Sequence, residues 1–142
     1  MNENTFDFWV GNWEVGWINP DGSKVFGTNQ IVRTVYNKVL QENFSDPSSK
    51  YEGTSISVYS PATKKWYQAW ADSDGTYYNF EGDIVDGQPV FKTKLIEQNG
   101  ERIIRRMVFK EIQKESFIWI WEATSNNGES WNELWRINYK RI

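Results

Sequence analysis

Hydrophobic and polar residues alternate with a period of two along most of the chain. In 65–73, Trp66, Gln68, Trp70 and Asp72 fall on one face and Lys65, Tyr67, Ala69 and Ala71 on the other. Segment 76–85 sets Tyr78, Phe80, Gly82 and Ile84 against Tyr77, Asn79, Glu81 and Asp83. Towards the end, Trp131, Glu133, Trp135, Ile137 and Tyr139 oppose Asn132, Leu134, Arg136, Asn138 and Lys140, while near the start Trp13, Val15 and Trp17 align. Such alternation marks antiparallel strands with one buried face. Turn residues punctuate it: Pro20-Asp21-Gly22, Asn37-Lys38, Asp46-Pro47-Ser48-Ser49, Pro61-Ala62-Thr63-Lys64, Asp74-Gly75, Asp86-Gly87, Asn99-Gly100 and Asn127-Gly128. Asn-Gly and Asp-Gly accept the positive φ angles of tight hairpins. The pattern predicts strands at 12–20, 24–35, 38–45, 52–60, 65–73, 76–85, 89–97, 102–112, 115–125 and 130–141. It also predicts a short helical turn between Asn4 and Val10, capped by Thr5 and carrying Phe6, Phe8 and Trp9.

Connections this short join only neighbouring antiparallel strands, which makes the chain a meander. A flat meander leaves two open edges, and closure into a barrel removes them. A two-sheet sandwich usually needs longer Greek-key crossovers, of which there is no sign. The expected fold is therefore all-β: an antiparallel up-and-down meander closed into an eight- to ten-stranded calycin-like barrel, one domain over residues 1–142, with a short N-terminal helical turn. Two segments fit less simply. In 115–125 both faces are apolar, Phe117, Trp119 and Trp121 on one and Ile118 and Ile120 on the other. The outer face near Ile118 and Ile120 then needs a cover, either the N-terminal turn or a second copy in a homodimer. In 52–60 either Ser55, Ser57 and Tyr59 or Ile56 and Val58 point inward.

Composition narrows the chemistry. A chain of 142 residues is long enough for a real core, and 9 Trp, 7 Tyr and 8 Phe supply much of it. The net charge of -3 and the absence of any Lys/Arg run leave no basic face for a phosphate backbone, so nucleic acid is not an expected partner. With no Cys and no His, the chain has no disulfide, thiol nucleophile, imidazole base or ordinary zinc or haem ligand. No cofactor and no transition metal are expected, although the Asp- and Asn-rich turns hold oxygen ligands of the kind calcium takes. Met1-Asn2-Glu3-Asn4 leads into no apolar stretch, and no run approaches transmembrane length. The expectation is a cytoplasmic protein with no membrane partner; a chain that had lost a signal peptide would read the same way.

Four stretches carry a family resemblance. Phe6-Asp7-Phe8-Trp9-Val10-Gly11-Asn12-Trp13 resembles the start of a bacterial family of calycin-like domains of unknown function. Gly53-Thr54-Ser55 leading to Tyr59, then Trp66-Tyr67-Gln68-Ala69-Trp70-Ala71-Asp72, and finally Trp121 to Trp131 before Tyr139 follow in the same order. Where the family usually has Asp-Gly-Gly, this chain has Asn126-Asn127-Gly128, a change a turn tolerates. Gly11-Asn12-Trp13 is also similar to the Gly-x-Trp that opens lipocalin barrels, where an arginine of the last strand covers the Trp; Arg136 or Arg141 would supply it. The resemblance implies a barrel holding a small, largely apolar ligand, implies no known reaction, and favours Ser55 and Tyr59 inward. The chain departs from fatty-acid-binding relatives in having only Pro20-Asp21-Gly22 where they carry a helical lid. It departs from haem-binding nitrobindin-like barrels in lacking the proximal His.

Polar residues share the inward face with large aromatics. Gln68 lies between Trp66 and Trp70, Glu133 between Trp131 and Trp135, Glu42 between Leu40 and Phe44, Asn29 beside Gly27 and Ile31, and Arg106 between Ile104 and Val108 in parity. An unpartnered buried polar group costs about 1–3 kcal/mol, so these groups must meet one another, water or a ligand. One reading pairs Glu42 or Glu133 with Arg106 in a barrel plugged by indoles. The other is a pocket for a small apolar or aromatic molecule, walled by Trp13, Trp17, Trp66, Trp70, Trp119 and Trp135. Asn29, Glu42, Ser55, Tyr59, Gln68, Arg106 and Glu133 would then make its polar contacts. A third is an isomerase, cyclase or decarboxylase using Glu42 with Glu133 or Asp72, and Tyr59 as proton carrier. No nucleophile or phosphate motif accompanies these carboxylates, so no catalytic residue is assigned. Sugar stacking on Trp9 or Trp17 at a rim is a fourth.

Overall fold

Eleven antiparallel strands follow one 3-10 turn, Asp7–Trp9, in the computed structural model, which describes residues 1–142. They are β1 (Gly11–Ile18), β2 (Lys24–Thr34), β3 (Val39–Asp46), β4 (Tyr51–Ser60), β5 (Lys65–Asp72), β6 (Tyr77–Val85), β7 (Gln88–Lys92), β8 (Ile96–Gln98), β9 (Glu101–Lys110), β10 (Ser116–Thr124) and β11 (Asn132–Arg141). Strands β1 to β7 pair in sequence, β7 pairs with β9, β9 with β10, β10 with β11, and β11 returns to β1. Ten strands thus close a calycin-like barrel, and β8 stands outside it as a short hairpin on β9. No helix is long and apolar enough to cross a membrane.

The expected strand at 89–97 is divided between β7 and β8. Thr93 explains the break: its N–H donates to the Arg105 carbonyl (2.9 Å), but its hydroxyl, not its carbonyl, accepts from the Arg105 N–H (3.1 Å). A side chain has replaced a ladder group, and the following residues leave the wall. The hairpins at Asp86-Gly87 and Asn99-Gly100 have positive φ at both central residues, as their sequences require. The β2–β3 turn is less regular, with Val35, Tyr36 and Asn37 at φ 51, 51 and 62°. A β-branched residue seldom adopts that region.

One end of the barrel is closed by its own N-terminus. The Phe6 ring stacks on Phe91 (4.5 Å between centroids) and meets the edge of Trp66 (5.3 Å), whose Nε1 donates to the Asn2 carbonyl (2.8 Å). Trp13 packs against Phe117 and donates its Nε1–H to the Trp9 carbonyl (2.8 Å). Arg141 covers this plug, its guanidinium 4.2 Å above the Trp13 ring and donating to the carbonyls of Val10, Phe8 and Lys114. Arg136 is elsewhere, on the outer wall with Glu133. Thr5 does not cap the turn. Its hydroxyl accepts from the Asn2 N–H (2.9 Å), and the residue preceding the turn is Phe6.

The N-terminal turn therefore fills the closed end and does not cover Ile120 on the outer face. Ile120 is nonetheless only 2% exposed in the single chain, in one cross-strand row with Val108 and Val90, both buried. In β4 the serines, not the aliphatics, face inward: Ser55 and Ser57 are buried and Ile56 is exposed.

Candidate ligand cavity

The opposite end is hollow. A cavity of about 590 Å³ opens between the ends of β1, β3 and β5 and the starts of β4 and β6. Its aromatic wall comes from Trp17, Phe44, Tyr51, Trp70, Tyr78, Phe80, Trp119, Trp121 and Trp135, joined by Met107 and Ile137. Trp119 and Trp121 lie parallel at 6.3 Å, and Trp135 stands perpendicular to Trp119 at 5.8 Å. Alternation on β10 and β11 places these rings together: Trp121 is in register with Trp135, and Trp119 with Ile137.

The polar groups fall into two sets. Deep in the barrel are Glu42 and Tyr139; nearer the strand ends are Asp46, Ser49, Asp72, Asp74, Thr76 and Asn19. Glu42 is 7% exposed and has no cationic partner. Its Oε2 accepts from Asn29 Nδ2 (2.6 Å) and its Oε1 from the Ser55 hydroxyl (2.7 Å). Asn29 Nδ2 also donates to the Tyr139 hydroxyl (2.9 Å), while Asn29 Oδ1 is buried without a protein partner. A half-turn of that amide would let Oδ1 accept from a protonated Glu42 and from the Tyr139 hydroxyl. The two amide orientations thus suit the two charge states of the acid.

Burial raises Glu42 above the ordinary glutamate range by desolvation, which the Asn29 and Ser55 hydrogen bonds oppose. Desolvation also lifts Tyr139 well above the ordinary phenol range, with the nearby Glu42 charge adding to it and the Asn29 hydrogen bond opposing. Asp46 and Asp72 behave oppositely. Desolvation pushes Asp46 upward, but hydrogen bonds from Ser48 and Ser49 outweigh it and hold the carboxyl below its ordinary value. Asp72 is likewise held low against desolvation. Its Oδ2 accepts from the Tyr51 hydroxyl (2.8 Å) and Trp70 Nε1 (3.1 Å), and its Oδ1 from the N–H groups of Thr76 and Asp74.

These shifts fix a pH profile of stability. Folded Glu42 holds its proton more tightly than the unfolded chain does. Its contribution is full below the ordinary glutamate value and is lost as pH rises through the raised value. Asp46 and Asp72 contribute above the ordinary aspartate value, and that contribution is lost as pH falls through their lowered values. Glu42→Gln should flatten the decline that begins above the ordinary glutamate value and leave the acid limb unchanged, measured by urea unfolding across pH, while the raised Tyr139 phenol keeps a separate alkaline limb above about pH 10. A decline below that alkaline limb that survives in the variant would place the titration on another group.

Of the expected ligand-contacting residues, Trp17, Glu42, Trp70, Trp119 and Trp135 line the cavity, and Asn29 and Ser55 stand behind Glu42 as its donors. Trp13, Tyr59 and Trp66 belong to the closed end, where Tyr59 packs on Trp66 at 6.0 Å. Gln68 is buried outside the cavity wall; its Nε2 donates to the Ser57 hydroxyl (2.9 Å) and its Oε1 has no protein partner.

Three placements are corrected outright. Glu133 is on the outside, its side chain 46% exposed and bound to Arg136 (2.8 Å). The cause is a bulge: Trp121 pairs with Trp135 but Glu122 pairs with Glu133, so Leu134 is an extra residue and everything before it changes face. Trp131 is outside for the same reason, its ring 3.7 Å from the Arg106 guanidinium. Arg106 lies on that outer face too, paired with Glu122 (2.7 Å), because Met107 and Phe109 are the residues of β9 that point inward. Neither Glu42 nor Glu133 pairs with Arg106. Trp9 and Trp17 are both buried and present no rim platform for a sugar.

Alternation did not single out Phe44, Tyr51, Tyr78, Phe80, Met107, Trp121 or Tyr139 as lining residues. Phe44 and Tyr139 share the inward parity of Glu42 and Trp135, and that was the available signal. No group of three or more Asp or Glu side chains is arranged to hold a metal ion. Neither a protein-family model nor a curated protein sequence matches this chain.

Proposed function

We propose that the barrel binds a small, mostly apolar molecule in the open-end cavity, with Glu42 and Tyr139 meeting its polar group. The observation that carries this reading is a hollow of about 590 Å³, walled by aromatics from seven strands, with one buried carboxyl that has no counter-charge. Its size and mostly apolar lining with a few polar groups are those of small-molecule sites. The wall rings touch one another around the hollow, as in Trp17–Trp135 at 5.0 Å and Tyr78–Trp121 at 5.3 Å, but no side chain fills it, whereas Phe6 and Trp9 fill the closed end.

A catalytic reading has narrower support. Tyr59 belongs to the closed end, Glu133 is outside, and each Asp72 oxygen already accepts two hydrogen bonds. Glu42 is left as a single acid–base group, with Tyr139 beyond Asn29.

The test is a titration with N-phenyl-1-naphthylamine, a neutral apolar probe, followed through indole fluorescence. Saturable binding at one site is expected, and Trp119→Ala should weaken it about tenfold by removing one wall of the cavity. No saturable change, or a Trp119→Ala variant that binds as the parent does, would defeat the proposal.

A further inference from the structure

The charges around the cavity all have one sign. Glu42, Asp46, Asp72 and Asp74 line it, and no lysine or arginine does. The chain as a whole has 16 basic residues against 19 acidic ones, so cations are not scarce; they are placed elsewhere. The five ion pairs of the molecule are Arg33–Asp7, Lys65–Glu81, Lys92–Asp83, Arg106–Glu122 and Arg136–Glu133, and none includes a cavity carboxylate. Asp46 and Asp72 are held instead by hydroxyls, an indole N–H and backbone N–H groups, which orient a carboxylate without cancelling its charge. Glu42 is buried and likewise bound only to neutral donors.

We infer that the cavity selects an organic cation: a protonated amine or quaternary ammonium group carried on an apolar or aromatic body. This rests on the binding reading above and names its ligand class. Two independent features converge on it. Uncompensated carboxylates beside low-dielectric walls focus a negative potential into the space between them. The wall is built from indole and phenol rings, whose negative faces attract a cation, most strongly where water is excluded. Trp119 and Trp121, parallel and 6.3 Å apart, form one aromatic side of the hollow, and Trp135, perpendicular to Trp119, forms a second. A cation arriving beside Glu42 restores the charged form that burial alone disfavours. An anionic ligand such as a fatty acid would meet four carboxylates and no donor of positive charge.

The experiment compares three aromatic probes of similar size. They are benzyltrimethylammonium, its neutral carbon isostere neopentylbenzene, and phenylmethanesulfonate, each titrated against the whole chain by indole fluorescence and calorimetry. The cation should bind at least about tenfold more tightly than the isostere, and the sulfonate should not bind. Raising ionic strength from about 0.01 M to about 0.1 M, which shortens the Debye length from ~30 to ~10 Å, should weaken the cation and leave the isostere unchanged. Glu42→Gln should erase most of the preference while the isostere still binds. That retained binding also shows the variant is folded. If the isostere or the sulfonate binds as well as the cation, the charge inference fails while the cavity reading stands. If none of the three binds, and the neutral naphthylamine also fails, the binding reading itself is lost.

Discussion

Trp13→Ala should lower the stability of the barrel by about 3–5 kcal/mol, the usual range for removing a large buried aromatic. Trp13 is fully buried and makes edge contacts with Phe117 (4.9 Å) and Tyr139 (6.0 Å). Its indole N–H satisfies the Trp9 carbonyl, and its ring supports the Arg141 guanidinium that ties three carbonyls of the closed end together. Alanine removes the ring and leaves those groups facing a void. Urea unfolding with an unchanged slope would report the loss as stability alone. A loss below about 1 kcal/mol would show that the plug collapses around the gap. Trp13 touches one cavity residue, Tyr139, so probe affinity measured well below the unfolding midpoint should fall by no more than about tenfold, the loss of that one ring's support. A larger change would mean the two ends are coupled.

The fold was legible in the sequence to a degree the cavity was not. Eight turn signals and strict alternation mark ten strands, and the closed barrel has ten, because short hairpins between half-buried strands leave few other topologies. Legibility failed where alternation stopped carrying information. In β9, Met107, Val108 and Phe109 are all buried, so no parity distinguishes Arg106 inside from Arg106 outside. The decision comes from Val90 and Ile120 on neighbouring strands, which make an outer apolar row beside Val108. In β11 the bulge at Leu134 adds one residue, and a parity argument cannot see one residue. In β4 the serines face inward against the hydrophobic rule, because Glu42 and Gln68 are already inside and need their hydroxyls.

The cavity needed a further coordinate. Alternation reports whether a side chain faces the interior, not how far along the barrel axis it lies. Trp13 and Trp17 have the same parity, yet one seals the closed end and the other lines the open one. Trp66 and Trp70 divide in the same way. The N-terminal Phe6 and Trp9, inserted at one end only, make the two ends different, and that insertion depends on tertiary packing.

Gly53→Ala should disturb the cavity more than any single addition of one carbon elsewhere on its wall. Gly53 faces inward on β4, in register with Phe44 and Asp72, and a Cβ there would overlap the indole of Trp70. The backbone at Gly53 is not in the left-handed region, so alanine suits the strand and the conflict is with Trp70 alone. That ring has little freedom to yield. Its Nε1 is bound to Asp72 Oδ2, which also holds Tyr51, and the whole group forms one side of the cavity mouth. Displacing the indole should cost about 1–3 kcal/mol of stability, as overpacking generally does. By moving Trp70 into the hollow, it should also weaken probe binding about tenfold, ~1.4 kcal/mol. A double-mutant cycle separates this from any defect in the strand. In a Trp70→Ala background the added methyl has nothing to strike, so the stability cost of Gly53→Ala should fall below about 0.5 kcal/mol, leaving a coupling energy of roughly 0.5–3 kcal/mol. Equal costs in the two backgrounds would mean that the strand, not the indole, rejects the side chain, and Trp70 would lose its place as the ring that glycine seats at the mouth.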